Sequence, residues 1–419
     1  MNMAPSNGCS LYAELLPNIR QITFVASLPG PSDASTRLVI HANGVTAELR
    51  YRDEAHTLSL PSRVALGGKV VPIDQRQINT TSLLWRLPLD ISVAKQSWGS
   101  DPNTAVWSAT DFAAGSEVSC RKCNTVLVGA GVAAVWKDLP SENWAEMMEF
   151  WHCHKPADHP HHGHDHSLDS NHKDAPEKAD EQSLAARGYG ASSIVSAQEG
   201  VGFVDLTTLM FTESDCQNLV FSSAGSDDAL PNIQNLTLTD KNGSVNRSLN
   251  VFCSSCHTQL GFYLFISAGV TLHKWQVSCK SKSGVSPGIP ECLASTITST
   301  TARSGSSKSL IMPINEITTQ TDTETKHIAI HIWVMNATMA YSSSKITQRS
   351  IPAIKLFYRF VTREEADKML EKVTQDAQEI NLPPRAIDEI VRHLEASNSL
   401  LPITERVFNK EWKVGLLTR

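Results

Sequence analysis

The stretches Cys120-Arg-Lys-Cys123 and Cys253-Ser-Ser-Cys256 share one spacing and decide how this chain must fold. Thiolates are soft ligands, and a two-residue gap lets both sulfurs of a pair face one ion. Two such pairs can form a tetrahedral four-cysteine site for Zn²⁺. The usual gap between pairs is about 15 to 20 residues, but here it is about 130, so the fold itself must bring the pairs together.

We therefore predict one structural zinc ion held by Cys120, Cys123, Cys253 and Cys256. A second interpretation, two unrelated pairs of free thiols, stays open. A redox pair is disfavoured, because neither pair stands at a strand-to-helix junction of a clear βαβ unit. The chain has nine cysteines, an odd number, which also argues against a disulfide framework.

Composition limits the classes of protein to consider. The chain has 419 residues, of which 41% are hydrophobic and 19% charged, so it can bury a sizeable core in two or three units or one large one. The net charge of -6 argues against direct nucleic-acid binding through bulk charge. No apolar run is long enough to span a membrane, and no secretory signal is recognisable. We expect the protein in the cytoplasm and nucleus.

Most of the chain has the sequence pattern of strands. In the N-terminal β-rich region, residues 10–115, short apolar segments alternate with Pro, Gly, Asn and Asp at about ten-residue intervals, the rhythm of a sandwich or barrel. Asn43-Gly44 is a strong hairpin signal within it. We predict an α+β fold that is predominantly β, with an antiparallel sandwich or barrel-like core, a zinc-stapled centre and a short C-terminal helical segment.

Three further regions follow. Residues 116–280 are expected to form the CxxC core, including a helix over 141–154 and a disordered His-rich insert at 155–190. Residues 281–310 are rich in Ser, Thr and Gly and predict a flexible loop. Residues 311–419 form a C-terminal α+β region, in which Thr362-Arg-Glu-Glu365 predicts the start of a helix that continues to Ile380.

The helix predicted over 141–154 ends in Trp151-His-Cys-His154, a group that could ligate a metal, act as a nucleophile or contact a partner. Packing of Cys153 against the core is an equally plain interpretation. The histidines of the insert predict a solvated low-complexity loop rather than a designed metal site. No P-loop or His-Glu-x-x-His motif occurs, so nucleotide hydrolysis and zinc-protease chemistry have little support.

The block Leu139-Pro-Ser-Glu-Asn-Trp144 with Trp151, Cys153 and His154 resembles the family of HECT-like ubiquitin ligases that bind ubiquitin-conjugating enzymes. Further matches support the resemblance across the chain: the two CxxC pairs, Gly261, Leu272-His-Lys-Trp275 and Leu58-Ser-Leu-Pro61.

This resemblance implies a protein that binds a charged ubiquitin-conjugating enzyme and promotes ubiquitin transfer, with that enzyme and ubiquitin as partners. It implies a second role as a non-catalytic partner, chaperone or inhibitor of the metallo-β-lactamase-type endonuclease of pre-mRNA 3′-end processing. Trp144, Trp151, Cys153 and His154 would be the partner-binding residues. A ligase that forms a thioester needs an activated cysteine, and the sequence does not identify one. Whether the chain is an enzyme therefore stays open.

Overall fold

The structure is a computed structural model that describes residues 8–90, 106–139, 195–222, 248–282, 284–314, 328–371 and 377–419. The chain divides into two compact units. Unit 1 comprises Met1–Val106 and Ser286–Arg419, and unit 2 comprises Trp107–Val285. The described residues are mostly strand, with three α-helices, which confirms the predicted α+β, predominantly β fold.

The strands, in chain order, are β1 (Ser10–Leu16), β2 (Gln21–Ser27), β3 (Arg37–Ile40), β4 (Thr46–Tyr51), β5 (Glu54–Ser59), β6 (Val70–Pro72), β7 (Ser82–Pro88), β8 (Val118–Cys120), β9 (Val126–Val128), β10 (Val135–Asp138), β11 (Val201–Val204), β12 (Thr208–Phe211), β13 (Leu219–Ser222), β14 (Ser248–Cys253), β15 (Gln259–Leu264), β16 (Gly269–His273), β17 (Val277–Cys279), β18 (Lys308–Pro313), β19 (Ile328–Ser343), β20 (Ile351–Thr362), β21 (Gln378–Leu382), β22 (Val407–Phe408) and β23 (Trp412–Thr418). The helices are α1 (Ile289–Ser304), α2 (Arg363–Leu370) and α3 (Pro384–Leu400).

Unit 1 is built on a curled, largely antiparallel sheet. Within the described residues its strands follow the order β22-β23-β20-β19-β1-β2-β7, while β18 pairs with β19 and with β21. The two ends of this order approach each other, because Ser82 Oγ at the start of β7 lies 3.3 Å from Thr404 Oγ1 just before β22. The curl agrees with the barrel-like core predicted from sequence.

A second sheet of unit 1, in the order β5-β4-β3-β6, covers one face of the first. The alternation of β7 shows why: Leu83, Trp85 and Leu87 are buried, whereas the residues between them are exposed. These side chains belong to one core with apolar residues of β1 to β5. The predicted hairpin between β3 and β4 is confirmed, with Gly44 at a φ of 68° in its turn.

Unit 2 contains two sheets in the described residues. The larger has the order β10-β11-β12-β16-β15-β14-β13, and the smaller has the order β17-β8-β9. Both sheets contribute to one core, in which Leu127 and Val128 of the smaller sheet join Val251 and Leu272 of the larger.

Two sequence-based predictions are wrong. Most of the expected flexible loop at 281–310 forms helix α1, whose apolar residues Ile289, Leu293 and Ile297 recur every four positions and are buried. The abundant Ser and Thr residues suggested a loop, but in the helix their hydroxyls donate hydrogen bonds to carbonyls four residues earlier, as Thr298 does to Ala294 at 2.8 Å. The helix expected to reach Ile380 ends at Leu370, and 378–382 is instead strand β21.

Residues 10–106 of the predicted N-terminal region lie in one unit with region 311–419, because β1 pairs antiparallel with β19. Residues 107–115 of that predicted region belong to unit 2. The predicted helix over 141–154 and the insert at 155–190 lie outside the described residues. Within the described chain, no helix has the length and apolar character needed to cross a membrane.

Candidate metal centre

Each CxxC pair forms a tight turn, here called a knuckle, between two adjacent strands. In knuckle 1, between β8 and β9, the amide of Asn124 donates to the carbonyl of Cys120 at 2.8 Å. The amide of Cys120 donates in turn to the carbonyl of Thr125 at 2.8 Å. Asn124 adopts a left-handed conformation with a φ of 60°, which folds the chain back so that Cys123 faces Cys120.

Knuckle 2, between β14 and β15, repeats this geometry. The amide of His257 donates to the carbonyl of Cys253 at 2.9 Å, and the amide of Cys253 donates to the carbonyl of Thr258 at 3.0 Å. His257 has a φ of 52°, close to that of its counterpart in knuckle 1. The repeat therefore extends over six residues, Cys-x-x-Cys-x-Thr, which is longer than the cysteine spacing alone indicates.

The fold brings the four sulfur atoms together, as the shared spacing predicts. Cys120 Sγ lies 3.7 Å from Cys256 Sγ, and Cys123 Sγ lies 3.5 Å from Cys253 Sγ. All four sulfurs lie within 4.8 Å of one another. A tetrahedral ion with metal–sulfur bonds of about 2.3 Å has sulfur–sulfur edges of about 3.8 Å, whereas a disulfide bond is about 2.05 Å long. The arrangement fits a metal ion and does not contain disulfides.

The sequence gap between the knuckles is closed by strand pairing. Cys120 is the last residue of β8 and pairs with Val277 of β17, which follows knuckle 2 in the chain. Cys253 is the last residue of β14 and pairs with Leu219 of β13. The first cysteine of each knuckle is thus paired with a further strand, in addition to the strand that follows its own knuckle. This explains how residues about 130 positions apart can form one site.

The two positions of each pair differ in environment. Cys120 and Cys253 are fully buried, whereas Cys123 and Cys256 are partly exposed. Burial raises the pKa of Cys120 to about 12. Hydrogen bonds from the hydroxyl and amide of Thr125 lower the pKa of Cys123 to about 6.

Burial also opposes ionisation of Cys256, but hydrogen bonds from Thr258 outweigh it and lower the pKa of this thiol. The two threonine hydroxyls lie 3.2 and 3.3 Å from the sulfurs of Cys123 and Cys256. Thr125 and Thr258 are site residues that the sequence interpretation missed. The sequence does contain a signal for them, because a Thr follows two positions after the partly exposed, or outer, cysteine of each knuckle, Cys123 and Cys256.

The Leu272-His-Lys-Trp275 motif is a buried structural element of unit 2. The His273 ring stacks on Trp275 with centroids 4.4 Å apart, and burial lowers the pKa of His273 to about 3. The ammonium group of Lys274 donates to the carbonyl of Trp107 at 2.8 Å. These contacts give the motif a packing role, so its residues are not assigned to the metal centre.

The other predicted site residues, Trp144, Trp151, Cys153 and His154, lie outside the described residues, so their role as a partner-binding block stays a prediction. Among the described cysteines outside the knuckles, burial raises the pKa of Cys9, Cys216 and Cys279. The fourth, Cys292, is fully buried in helix α1.

Residues 14–414 match the family described as HECT-like ubiquitin-conjugating enzyme (E2)-binding. The match covers both units and all four cysteines of the cluster, and the chain therefore belongs to this family. The resemblance stated from sequence is confirmed.

Two fungal proteins illustrate the relationship. An uncharacterized protein of Schizosaccharomyces pombe is 24% identical over 326 residues, which cover 76% of this chain and 79% of the relative. An uncharacterized protein of Saccharomyces cerevisiae is 36% identical over 52 residues, which cover 12% of this chain and 15% of the relative. No solved structure gives a significant match.

Proposed function

We propose that this chain binds a ubiquitin-conjugating enzyme charged with ubiquitin and, as a HECT-like ubiquitin ligase, promotes transfer of ubiquitin to a substrate. The observation that carries the proposal is the match to an E2-binding family over residues 14–414. We place this activity in the cytoplasm and nucleus.

We further propose that the four-cysteine cluster holds Zn²⁺ in a structural role. Four thiolates in a tetrahedral arrangement are a typical structural zinc set, and no ligand position is left open for a reacting water. Burial of Cys120 and Cys253 keeps the ion away from solvent. When bound, the ion would cross-link two distant strands rather than take part in ubiquitin transfer.

Any covalent mechanism must use a nucleophilic cysteine with a favoured thiolate. The four cysteines of the cluster are the proposed metal ligands. Burial disfavours the thiolate of Cys9, Cys216 and Cys279, and Cys292 is inaccessible. Cys153 is therefore the first candidate to test for a thioester, and without a thioester ubiquitin would pass directly from the conjugating enzyme to its acceptor.

A single-turnover discharge assay tests this function. The metal-loaded chain is mixed with a panel of ubiquitin-charged conjugating enzymes, and the products are separated on reducing and non-reducing gels. Faster discharge supports the ligase proposal, and a thiol-sensitive adduct that disappears in Cys153→Ala would assign the nucleophile. Unchanged discharge across the panel would contradict the proposal.

The family resemblance implies a second candidate function, in which the Trp151-His-Cys-His154 block would supply the contact. A thiolate presented beside histidine can ligate a partner's zinc, which would suit binding to the endonuclease of pre-mRNA 3′-end processing. Co-purification of that nuclease with the wild-type chain, weakened by Cys153→Ala and unchanged in Cys279→Ala, is the expected result. Equal recovery with both variants would contradict this role for Cys153.

A further inference from the structure

Two close sulfur contacts in the cluster run between the knuckles. Cys120 Sγ contacts Cys256 Sγ at 3.7 Å, and Cys123 Sγ contacts Cys253 Sγ at 3.5 Å. Each contact joins one buried sulfur to one partly exposed sulfur. An oxidant in solution therefore meets an outer sulfur first, and a buried sulfur of the opposite knuckle lies 3.5 or 3.7 Å behind it.

We propose that the four-cysteine cluster is a site of reversible oxidation by peroxides, in which two disulfides form across the knuckles, Cys120–Cys256 and Cys123–Cys253, and the metal ion is released. The proposal concerns the cluster alone and does not depend on the binding of a ubiquitin-conjugating enzyme.

The chemistry balances with hydrogen peroxide as the oxidant. The thiolate of Cys123 attacks one peroxide oxygen, the O–O bond breaks, and a sulfenic acid and hydroxide are formed. The thiolate of Cys253 then attacks the Cys123 sulfur, the S–O bond breaks, and a disulfide and a second hydroxide result. Two thiolates lose two electrons and one peroxide gains them. Repetition at Cys256 and Cys120 consumes a second peroxide and leaves no thiolate to hold the metal.

The outer cysteines are the suitable first targets. Oxidation selects accessible thiols, and each partly exposed outer sulfur lies beside a hydroxyl group, that of Thr125 at 3.2 Å and that of Thr258 at 3.3 Å. Cys216 and Cys279 are also partly exposed, but no described hydroxyl group makes a hydrogen bond to either sulfur.

Cross-knuckle bonds also preserve the connection that the metal provides. Each disulfide would join residues separated by 136 or 130 positions, so β8 and β14 would stay tethered after the metal leaves. Disulfides within each CxxC pair would leave no covalent link between β8 and β14, which belong to different sheets. The oxidised protein is therefore expected to remain folded and to rebind metal after reduction.

The test uses the full metal-loaded chain with the substitution Cys153→Ala, which removes the cysteine that the structure does not describe. The protein is treated with hydrogen peroxide, alkylated, and digested with trypsin without reduction. Arg121 and Lys122 lie between the cysteines of knuckle 1, so trypsin separates Cys120 in peptide 96–121 from Cys123 in peptide 123–137. Both cysteines of knuckle 2 stay in peptide 248–274.

The expected product is one species in which all three peptides are joined by two disulfides. A chromogenic chelator should detect the release of one metal ion per chain. Dithiothreitol should reduce both disulfides and separate the peptides. Fragmentation between Cys253 and Cys256 should assign each bond. The matched control Cys279→Ser should give the same product. A link between peptides 96–121 and 123–137 with an internal disulfide in 248–274, irreversible oxidation alone, or unmodified cysteines with metal retained would each overturn the proposal.

Discussion

Each CxxC pair places one thiol inside unit 2 and one at its surface, and a threonine hydroxyl lies beside each surface thiol. This asymmetry depends on single residues with unusual conformations, Asn124 and His257, which hold the left-handed turn of each knuckle. The spacing in the sequence identified the four cysteines that cluster in the structure. It did not identify Thr125 and Thr258, because a single Thr two residues after a cysteine is not a recognised motif. The repeat becomes visible only when the two knuckles are compared.

Substitution of one buried ligand should remove the metal. We expect Cys253→Ser to lower the bound metal from one ion per chain to none and to destabilise unit 2 by ~4 kcal/mol or more, because a structural metal contributes directly to the free energy of folding. Metal content by inductively coupled plasma mass spectrometry, with thermal unfolding, checks this. Cys279→Ser is the matched control, and equal metal content in the two variants would refute the four-cysteine site.

His273 should make the protein sensitive to acid. Its pKa is lowered to about 3 in the folded state by burial, whereas an unfolded histidine has a pKa of about 6.5. Between these values the unfolded state binds more protons, so stability falls as the pH falls below about 6.5.

The variant His273→Phe removes this titration. Between about pH 7.5 and about pH 5.5, the wild type should lose ~1 kcal/mol more stability than the variant. Denaturant unfolding at the two pH values measures the difference, in which effects common to both proteins cancel. The control variant is His41→Gln, chosen because the side chain of His41 is 41% exposed in the wild type. An identical pH dependence of wild type and His273→Phe would show that the ring is not held neutral.

At the scale of elements, the close packing of β15 against β16 explains why Gly261, one of the residues that carry the family resemblance, must be a glycine. Gly261 in β15 lies against β16, and a Cβ there would be only 1.9 Å from the carbonyl oxygen of Thr271. The contact is with backbone and cannot be relieved by a side-chain rotation. Glycine is therefore required in the strand that leaves knuckle 2.

We expect Gly261→Ala to destabilise unit 2 by ~3 kcal/mol or to prevent its folding, because β15 and β16 would have to separate. Gly129→Ala is the matched control, since its nearest contact to a Cβ is an ordinary 3.5 Å. Thermal unfolding of both variants tests the difference. Similar stability of the two would mean that β15 and β16 are not packed as closely as described.

Sequence patterns predicted elements well where a local signal was strong. The capping box at Thr362 is confirmed, with the Glu365 amide donating to Thr362 Oγ1 at 3.2 Å. Helix α1 was missed because its Ser and Thr residues have poor helix propensity, while its stability comes from buried apolar contacts that a composition argument ignores. Strand β21 was missed because it depends on a parallel partner, β18, far away in sequence.

At the scale of the whole molecule, the chain forms two units, of which unit 1 contains both ends of the described chain. Local patterns could predict the β-rich character of residues 10–115 but not the pairing of β1 with β19, because such pairing is decided by tertiary packing. The cysteine spacing was the one long-range signal in the sequence, and it correctly predicted that residues 120 and 253 lie together.

This division predicts a local effect of metal removal. A strong chelator such as 1,10-phenanthroline should accelerate amide hydrogen exchange in Trp107–Val285, whose strands meet at the knuckles. Exchange in β1, β2 and β19 of unit 1 should change far less. Hydrogen–deuterium exchange read by mass spectrometry tests this, with a non-chelating phenanthroline isomer as control. Equal acceleration in both units would contradict a metal centre that serves unit 2 alone.

The most direct test of the central claim is a binding measurement. A conjugating enzyme linked to ubiquitin through a stable isopeptide bond, labelled with a fluorophore, is titrated with the metal-loaded chain and followed by anisotropy across a panel of such enzymes. We expect saturable binding to at least one member, retained by Gly129→Ala and lost in Cys253→Ser. Absence of binding by the folded, metal-loaded chain to every member would contradict the assignment as an E2-binding protein.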